Sequence, residues 1–384
     1  MMILKLAFRN LLGAGMKTWL NVIVLSLSFV IIIFYNGMID GWNQQARKAN
    51  IDWSYASGQW WQAEYDPYDP FTLQDAHAPI PTELAEENVP QLLVQAAAYP
   101  QGRMQSVFLR GIPAEQTLLE LPTASLSGDP ENPSILLGKR MAETCGVQAG
   151  DAMLIRWRDK NGTFDAQSFA VADIFDSDVP TIDQGTIWLD LKALQAMTGL
   201  EGEATLIVVS DEQQPEQIAG WEFQALGSLT AEMDAIIQSK KGSAAVIYLM
   251  LLFIALLAIF DTQVLSVFRR QKEIGTYVAL GMTRSRVVQL FTLEGGAISL
   301  LAAGVGAIYG VPLFLYFART GFTLPANSDD YGITMAETIF PVYGAGLVLG
   351  TTLLVVIAAT IVSYLPARKI SHMRPTDALK GKLL

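Results

Sequence analysis

Residues 268–296 read FRRQKEIGTYVALGMTRSRVVQLFTLEGG, and this stretch decides how the chain is organised. It separates two long apolar runs, opens on Arg269, Arg270 and Lys272, and continues as a short amphipathic helix from Glu273 to Leu280 that Gly281 stops. Ile274, Tyr277, Val278 and Leu280 fall on one side of that helix at helical spacings. So short a helix has no core of its own and must dock on a neighbour.

The 384-residue chain is 51% hydrophobic and 16% charged, which points to a membrane protein. Four windows reach the roughly 20 apolar residues that cross a bilayer core. They run from Trp19 to Ile39, Ala244 to Phe268, Gly295 to Ala318 and Phe340 to Leu365, and Asp261 is the only charge inside them. No small-residue cleavage pattern follows Ile39, which argues against a removed signal peptide.

Basic flanks set the expected orientation. Lys5, Arg9 and Lys17 precede the first span, and Arg269, Arg270, Lys272, Arg284 and Arg286 separate the second from the third. Arg368, Lys369, Arg374, Lys380 and Lys382 follow the fourth, whereas the loop between spans three and four sets Arg319 against Asp329, Asp330 and Glu337. Both termini and the 269–287 loop are therefore expected in the cytoplasm, with residues 40–241 outside. That outer segment holds 30 acidic against 12 basic residues, so the net charge of -11 belongs mostly to one soluble domain. It implies little about partners of the basic face. Cys145 is the only cysteine, which excludes an intrachain disulfide, and His77 and His372 lie too far apart in sequence to suggest a metal site.

Residues 1–18 pattern as an amphipathic helix on the cytoplasmic surface or as an extension of the first span. Residues 13–18, GAGMKT, place Met16 where a phosphate loop needs glycine, and no strand precedes them. ATP hydrolysis by this chain is therefore not expected. Between 40 and 241 the patterning predicts an α+β domain. Strands are expected at Gln91–Ala98, Gln105–Arg110, Ala152–Arg158, Ser168–Phe175, Gly185–Leu189 and Thr205–Ser210, and helices at Pro81–Asn88, Ile135–Gly146, Leu191–Thr198 and 213–241. A Pro, Ser and Gly-rich segment at 122–133 allows an inserted β subdomain over about 123–195. The aromatics Trp53, Tyr55, Trp60, Trp61, Tyr65, Tyr68 and Phe71 read either as core anchors or as an amphipathic surface for lipid or an apolar ligand.

Within the spans, Gly304, Gly306, Gly310, Gly344, Gly346 and Gly350 read as close helix contacts. Asp261 and Glu294, near the inner headgroup zone, read as partners of arginine rather than as a proton relay. The expected architecture is an integral membrane α-helical protein with an α+β extracytoplasmic domain between its first two transmembrane helices. Its parts are 1–18, span 19–39, domain 40–241, span 244–268, loop 269–287, span 288–318, outer loop 319–339, span 340–365 and tail 366–384.

Residues 270–284, RQKEIGTYVALGMTR, with Phe291, Glu294 and Gly295, resemble the cytoplasmic loop of FtsX-like permeases, the membrane subunits of MacB-type (type VII) ABC transporters. Residues 365–369, LPARK, and 374–379, RPTDAL, are similar to the C-terminal signature of that family. Residues 6–12, 36–41 and 58–65 (LAFRNLL, NGMIDG and GQWWQAEY) look most like lipoprotein-releasing Lol-type (LolC/LolE-like) permeases. Residues 138–142 and 146–151 resemble Lol and MacB outer domains alike.

The resemblance implies a non-catalytic subunit of the bacterial inner membrane, paired with a second permease copy or paralogue above a dimeric cytoplasmic ATPase. That ATPase, not this chain, would bind ATP and Mg, and no nucleic acid is expected among the partners. It implies ATPase-coupling roles for Glu273, Ile274, Gly275, Ala279, Leu280, Gly281, Arg284, Arg368, Pro375, Ala378 and Leu379. Mechanical extraction of lipoproteins from the outer leaflet is the expected function, with membrane lipids and a periplasmic carrier or adaptor as further partners. Phe29, Ile33, Met38, Val246, Leu249 and Phe253 are the candidate substrate-facing residues. Efflux or peptide export, and mechanical activation of a periplasmic hydrolase, are the alternatives.

Overall fold

The computed structural model describes residues 16–85, 87–126, 133–177, 179–211, 217–323 and 338–369. The surface helix expected at the N-terminus, most of the loop between spans three and four, and Pro375, Ala378 and Leu379 lie outside the described residues. Two compact units result: 44–236 form one, and 16–43, 237–323 and 338–369 the other.

Helix α1, Met16–Asn50, ends in a wider π-type turn at Ile51–Tyr55. Strands β1 (Gly58–Gln62), β2 (Ala78–Pro79), β3 (Val89–Ala98), β4 (Gln105–Ile112) and β5 (Ser134–Gly138) follow, then α2 (Lys139–Cys145), β6 (Ala152–Arg158) and β7 (Phe164–Phe175). Next come α3 (Pro180–Asp183), β8 (Thr186–Asp190), α4 (Leu191–Thr198), β9 (Glu203–Ala204), β10 (Leu206–Val208), β11 (Trp221–Ala225) and α5 (Leu226–Leu229). The nine-stranded sheet runs β11-β1-β10-β3-β4-β8-β5-β7-β6, and β3 also pairs with β6. That last pairing, Ala96 opposite Trp157 and Ala98 opposite Ile155, closes six strands into a ring.

All six ring strands feed one core, with Leu92, Leu109, Ile135, Ile155, Phe169 and Ile187 fully buried. Alternate residues Leu93, Leu136 and Trp188 face a second core with Phe175 and Trp53, whose rings stack at 5.6 Å. Because β3 and β4 belong to the same ring, the strands of 134–190 are not a separate insertion. Among the aromatics, Trp53, Trp60, Trp61 and Tyr65 anchor core clusters, while Tyr68 and Phe71 are exposed.

Three expected helices differ from the structure, and among the described residues of Pro81–Asn88 only a single 3-10 turn forms, Thr82–Leu84. Residues 134–138 form a strand before the helix at 139–145, because all five are buried and show no alternation. Residues 221–225 pair with β1, so helix in the expected 213–241 segment begins only at Leu226.

Among the described residues four helices are long and apolar enough to cross a membrane, and the protein is an integral membrane helical protein. They are α1, α6 (Ala231–Arg269), α8 (Arg284–Thr320) and α9 (Ala345–Arg368); the short α7 (Gln271–Ala279) lies between α6 and α8, and a two-residue pairing joins β12 (Phe322–Thr323) to β13 (Thr338–Ile339). Val22 and Phe29 of α1, Ala255 and Ile259 of α6, Ile298 and Ala302 of α8, and Val355 and Ala359 of α9 share one core. Small residues permit the closest approaches. A Cβ on Gly310 would lie 2.9 Å from Val30, and one on Gly306 3.3 Å from the Ser26 carbonyl. Gly295 and Gly296 of α8 meet Ser363 and Thr360 of α9 in the same way. By contrast, Gly304, Gly344, Gly346 and Gly350 have nothing within 4 Å of that position, so they make no such close approach among the described residues of this chain.

In the sheet unit, Asp183 is fully buried and accepts from the Arg140 guanidinium at 2.6 Å and from the Arg140 backbone N–H at 3.2 Å. Burial pushes the Asp183 carboxyl above its ordinary value against the pull of Arg140. Such a group binds its proton more readily folded than unfolded, so its contribution to stability falls as pH rises from the unfolded value to the folded one. Arg140→Met should destabilise the sheet unit by about 3–5 kcal/mol by stranding the carboxylate. The deficit relative to the parent should shrink from about pH 7 to about pH 4 as Asp183 protonates. Thermal unfolding of the full chain in detergent, followed by tryptophan fluorescence at both pH values, checks both.

Candidate functional site

The elbow between α6 and α8 is built from the residues quoted first. Helix α7 leaves α6 at Arg270, which has non-helical backbone, and ends at Leu280. Gly281 then adopts φ +94°, a conformation that L side chains resist, and the Met282 N–H returns to the Tyr277 carbonyl at 3.0 Å. Turn and helix restart together at Arg284.

One face of α7 is already used within the chain. Ile274 is buried, with Tyr277 and Val278 beside it, against Val267 of α6, Val287, Val288 and Phe291 of α8, and Ala367 of α9. Gly275 and Gln271 are buried on the same side. Ile274 and Gly275 therefore hold the elbow together rather than face outward, because an apolar face this small finds its nearest cover on its own flanking helices. The outward face is Lys272, Glu273, Thr276, Ala279 and Leu280, continuing through Gly281 to Arg284. Leu280, at 81% exposure, is its most prominent apolar side chain.

The elbow is pinned electrostatically. Glu294, almost fully buried in α8, accepts two hydrogen bonds from Nη1 of Arg270, at 2.9 and 3.1 Å. Arg270 Nε donates to Glu273 at 2.8 Å, and its guanidinium lies 4.8 Å from the centre of the Phe291 ring. Burial opposes the charge on Arg270, yet the two carboxylates carry its pKa above the ordinary value. The arginine partner expected for Glu294 is thus Arg270, while Asp261 is exposed.

At the C-terminal end of α9, Arg368 lines an open cleft with Ser285, Gln289 and Tyr364, next to the elbow. The candidate substrate-facing residues divide. Phe29 and Ile33, at 3% and 6% exposure, are buried between helices of this chain and cannot face a ligand from there. Val246, Leu249 and Phe253 are exposed on α6, and Met38 is half-buried. On α1 the outward stripe is Leu20, Ile23, Leu27, Ile31 and Tyr35. Sequence carried no signal for this phase, since both faces of α1 are apolar.

Residues 245–375 match the family model described as the FtsX-like permease C-terminal domain. The lipoprotein-releasing system transmembrane protein LolC of Xylella fastidiosa (strain Temecula1) is 24% identical over 325 residues, covering 75% of this chain and 76% of that protein. The macrolide export ATP-binding/permease protein MacB 2 of Aeromonas hydrophila is 29% identical over 159 residues, 39% of this chain and 22% of its own length.

Arg270→Leu should strand the buried Glu294 carboxylate and cost about 3–5 kcal/mol. Lowered thermal stability of the membrane unit in detergent, recovered in large part by adding Glu294→Leu, is the expected result. Recovery in the double variant separates the ion pair from general damage to the elbow.

Proposed function

This chain belongs to the FtsX-like permease family of MacB-type ABC transporters, and we propose that it couples ATP hydrolysis on a separate cytoplasmic chain to the release of lipoproteins from the outer leaflet of the inner membrane. Membership in the family implies a cytoplasmic ATPase partner. The observation that carries the coupling role is the outward face of α7: an exposed Leu280 beside Ala279 and Glu273, on a helix whose other face is fixed to three membrane helices.

In this reading Leu280 and Ala279 enter a groove on the ATPase, and Glu273, Arg284 and Arg368 hold its rim. Ile274, Gly275 and Gly281 set the helix in position, and a coupling role for Pro375, Ala378 and Leu379 rests on the resemblance alone. The partner binds ATP and Mg. Closure of its dimer displaces α7, and the elbow passes the displacement to α6 and α8. The termini are cytoplasmic, the sheet unit is periplasmic, and two permease subunits act together. The acyl chains of a lipoprotein enter laterally against the exposed apolar stripes of α6 and α1, through Val246, Leu249, Phe253, Leu27 and Ile31, and leave toward a periplasmic carrier. Lipoprotein release is favoured because the likeness to LolC extends over three quarters of this chain. The shorter likeness to MacB 2 supports an efflux reading, in which the sheet unit meets an adaptor.

Leu280→Asp tests the assignment. It should leave membrane insertion and thermal stability within about 0.5 kcal/mol of the parent, as for an exposed position. Co-purification of the ATPase in mild detergent should be abolished. Mass spectrometry of the parent complex should recover acylated lipoproteins; an adaptor protein in their place would move the function to efflux.

A further inference from the structure

The cleft of about 670 Å³ between α8 and α9 shares Arg368 with the coupling reading, which uses none of its other lining residues. Ser285, Gln289 and Thr292 line it from α8, and Tyr364 and Arg368 from α9. Along α8 the lining extends seven residues, from Ser285 to Thr292, or about 10 Å by helical rise. It begins at the polar end of a candidate membrane span and reaches into the apolar part. Its composition changes along that depth. Arg368, Ser285 and Gln289 lie toward the helix ends, and Leu293 and Tyr364, both partly exposed apolar surfaces, lie deeper.

We propose that this cleft binds the headgroup and glycerol of an anionic phospholipid. The phosphodiester sits at Arg368, where a guanidinium matches phosphate geometry by paired N–H donors. Gln289 and Ser285 donate to the remaining headgroup oxygens. Leu293 and the Tyr364 ring cover the start of the acyl chains. A bare phosphate would use only the mouth of the cleft, leaving the apolar depth unused. A soluble protein partner has no access to a depth that lies within two membrane helices. The proposal requires only that α8 and α9 span a bilayer, and is independent of what the chain transports. It places a lipid beside α7, with Val288 contributing to both the cleft and the cluster that seats Ile274.

Native mass spectrometry of the full chain in mild detergent, titrated with phosphatidylglycerol or phosphatidylcholine, tests this. The expected result is one phosphatidylglycerol retained per chain at concentrations where phosphatidylcholine is lost. Arg368→Gln should weaken that retention about fivefold, the worth of one cation facing anionic lipid, and Gln289→Leu should weaken it less, with thermal stability unchanged in both. Equal retention of the two lipids, or unchanged phosphatidylglycerol retention in both variants, would overturn the proposal. Displacement of phosphatidylglycerol by an equal concentration of glycerol 1-phosphate would identify a site for free phosphate and overturn it as well. Loss of ATPase co-purification in both variants with lipid retention intact would assign the cleft to the protein partner.

Discussion

The pairing of Arg270 with Glu294 fixes the elbow on which the membrane unit is arranged. A carboxylate inside an apolar helix costs about 2.5–3.5 kcal/mol at the bilayer centre on insertion scales, and less near the edge. Here the cost is offset by two hydrogen bonds from one guanidinium that also covers the Phe291 ring. The pair ties the start of α7 to the third turn of α8, and the apolar cluster around Ile274 and Phe291 closes beside it. A chain turning back on itself in so few residues has little freedom left once both are formed. In the proposed coupling, force applied to α7 would be carried by α6 and α8 through these ties.

The sheet unit reaches rigidity by another route. Open sheets leave unpaired edges, and closing one on itself removes them. Strand β3 does this by bonding to both β4 and β6 while still serving as the base for β10, β1 and β11. The short β11 is left at the outer edge of that extension, with Glu222 exposed on it. Buried polar groups are answered locally, as where the Gln59 side chain bonds the Ser54 carbonyl and receives the Trp61 indole N–H.

What was legible in the sequence follows from where the two faces of an element differ. Strand β6 alternates exposed and buried residues along its whole length, and its period of two was readable. Strand β5 is buried on both faces, so its residues carry no period, and their continuity with the following helix disguised the boundary. The same degeneracy governs the membrane helices. Their existence was evident from length and apolarity, but Phe29 and Leu27 look alike until the bundle assigns one inward and the other outward. In α7 the glycine stop and basic flanks marked the helix clearly. Its amphipathic face, however, says only that something covers it, and the cover for Ile274 is the chain itself.

Between membrane helices apolar burial supplies little drive for association, so orientation depends on close packing and polar contacts. On α1 these ties recur along the length: Asn21 reaches Thr262 and the Ala258 carbonyl, Ser26 lies 3.2 Å from the Tyr309 hydroxyl, and Asp40 pairs with Lys241 at 2.7 Å. Lys240 adds a contact over the Trp42 ring at 4.1 Å. Helix α6 is thus held at Lys240 and Lys241 toward one end, and the elbow at Arg270 holds the other. The intervening 29 residues span about 44 Å by helical rise. Sharp kinks arise at proline, at Gly/Ser pairs or at bulges; α8 contains Pro312 and α9 contains Pro366, and α6 has no proline but carries the pair Gly242–Ser243 next to Lys241. From Ala244 to Arg269 the helix has neither proline nor glycine. In the proposed coupling, displacement of the elbow is carried along that stretch, and the exposed Leu249 and Phe253 travel with it.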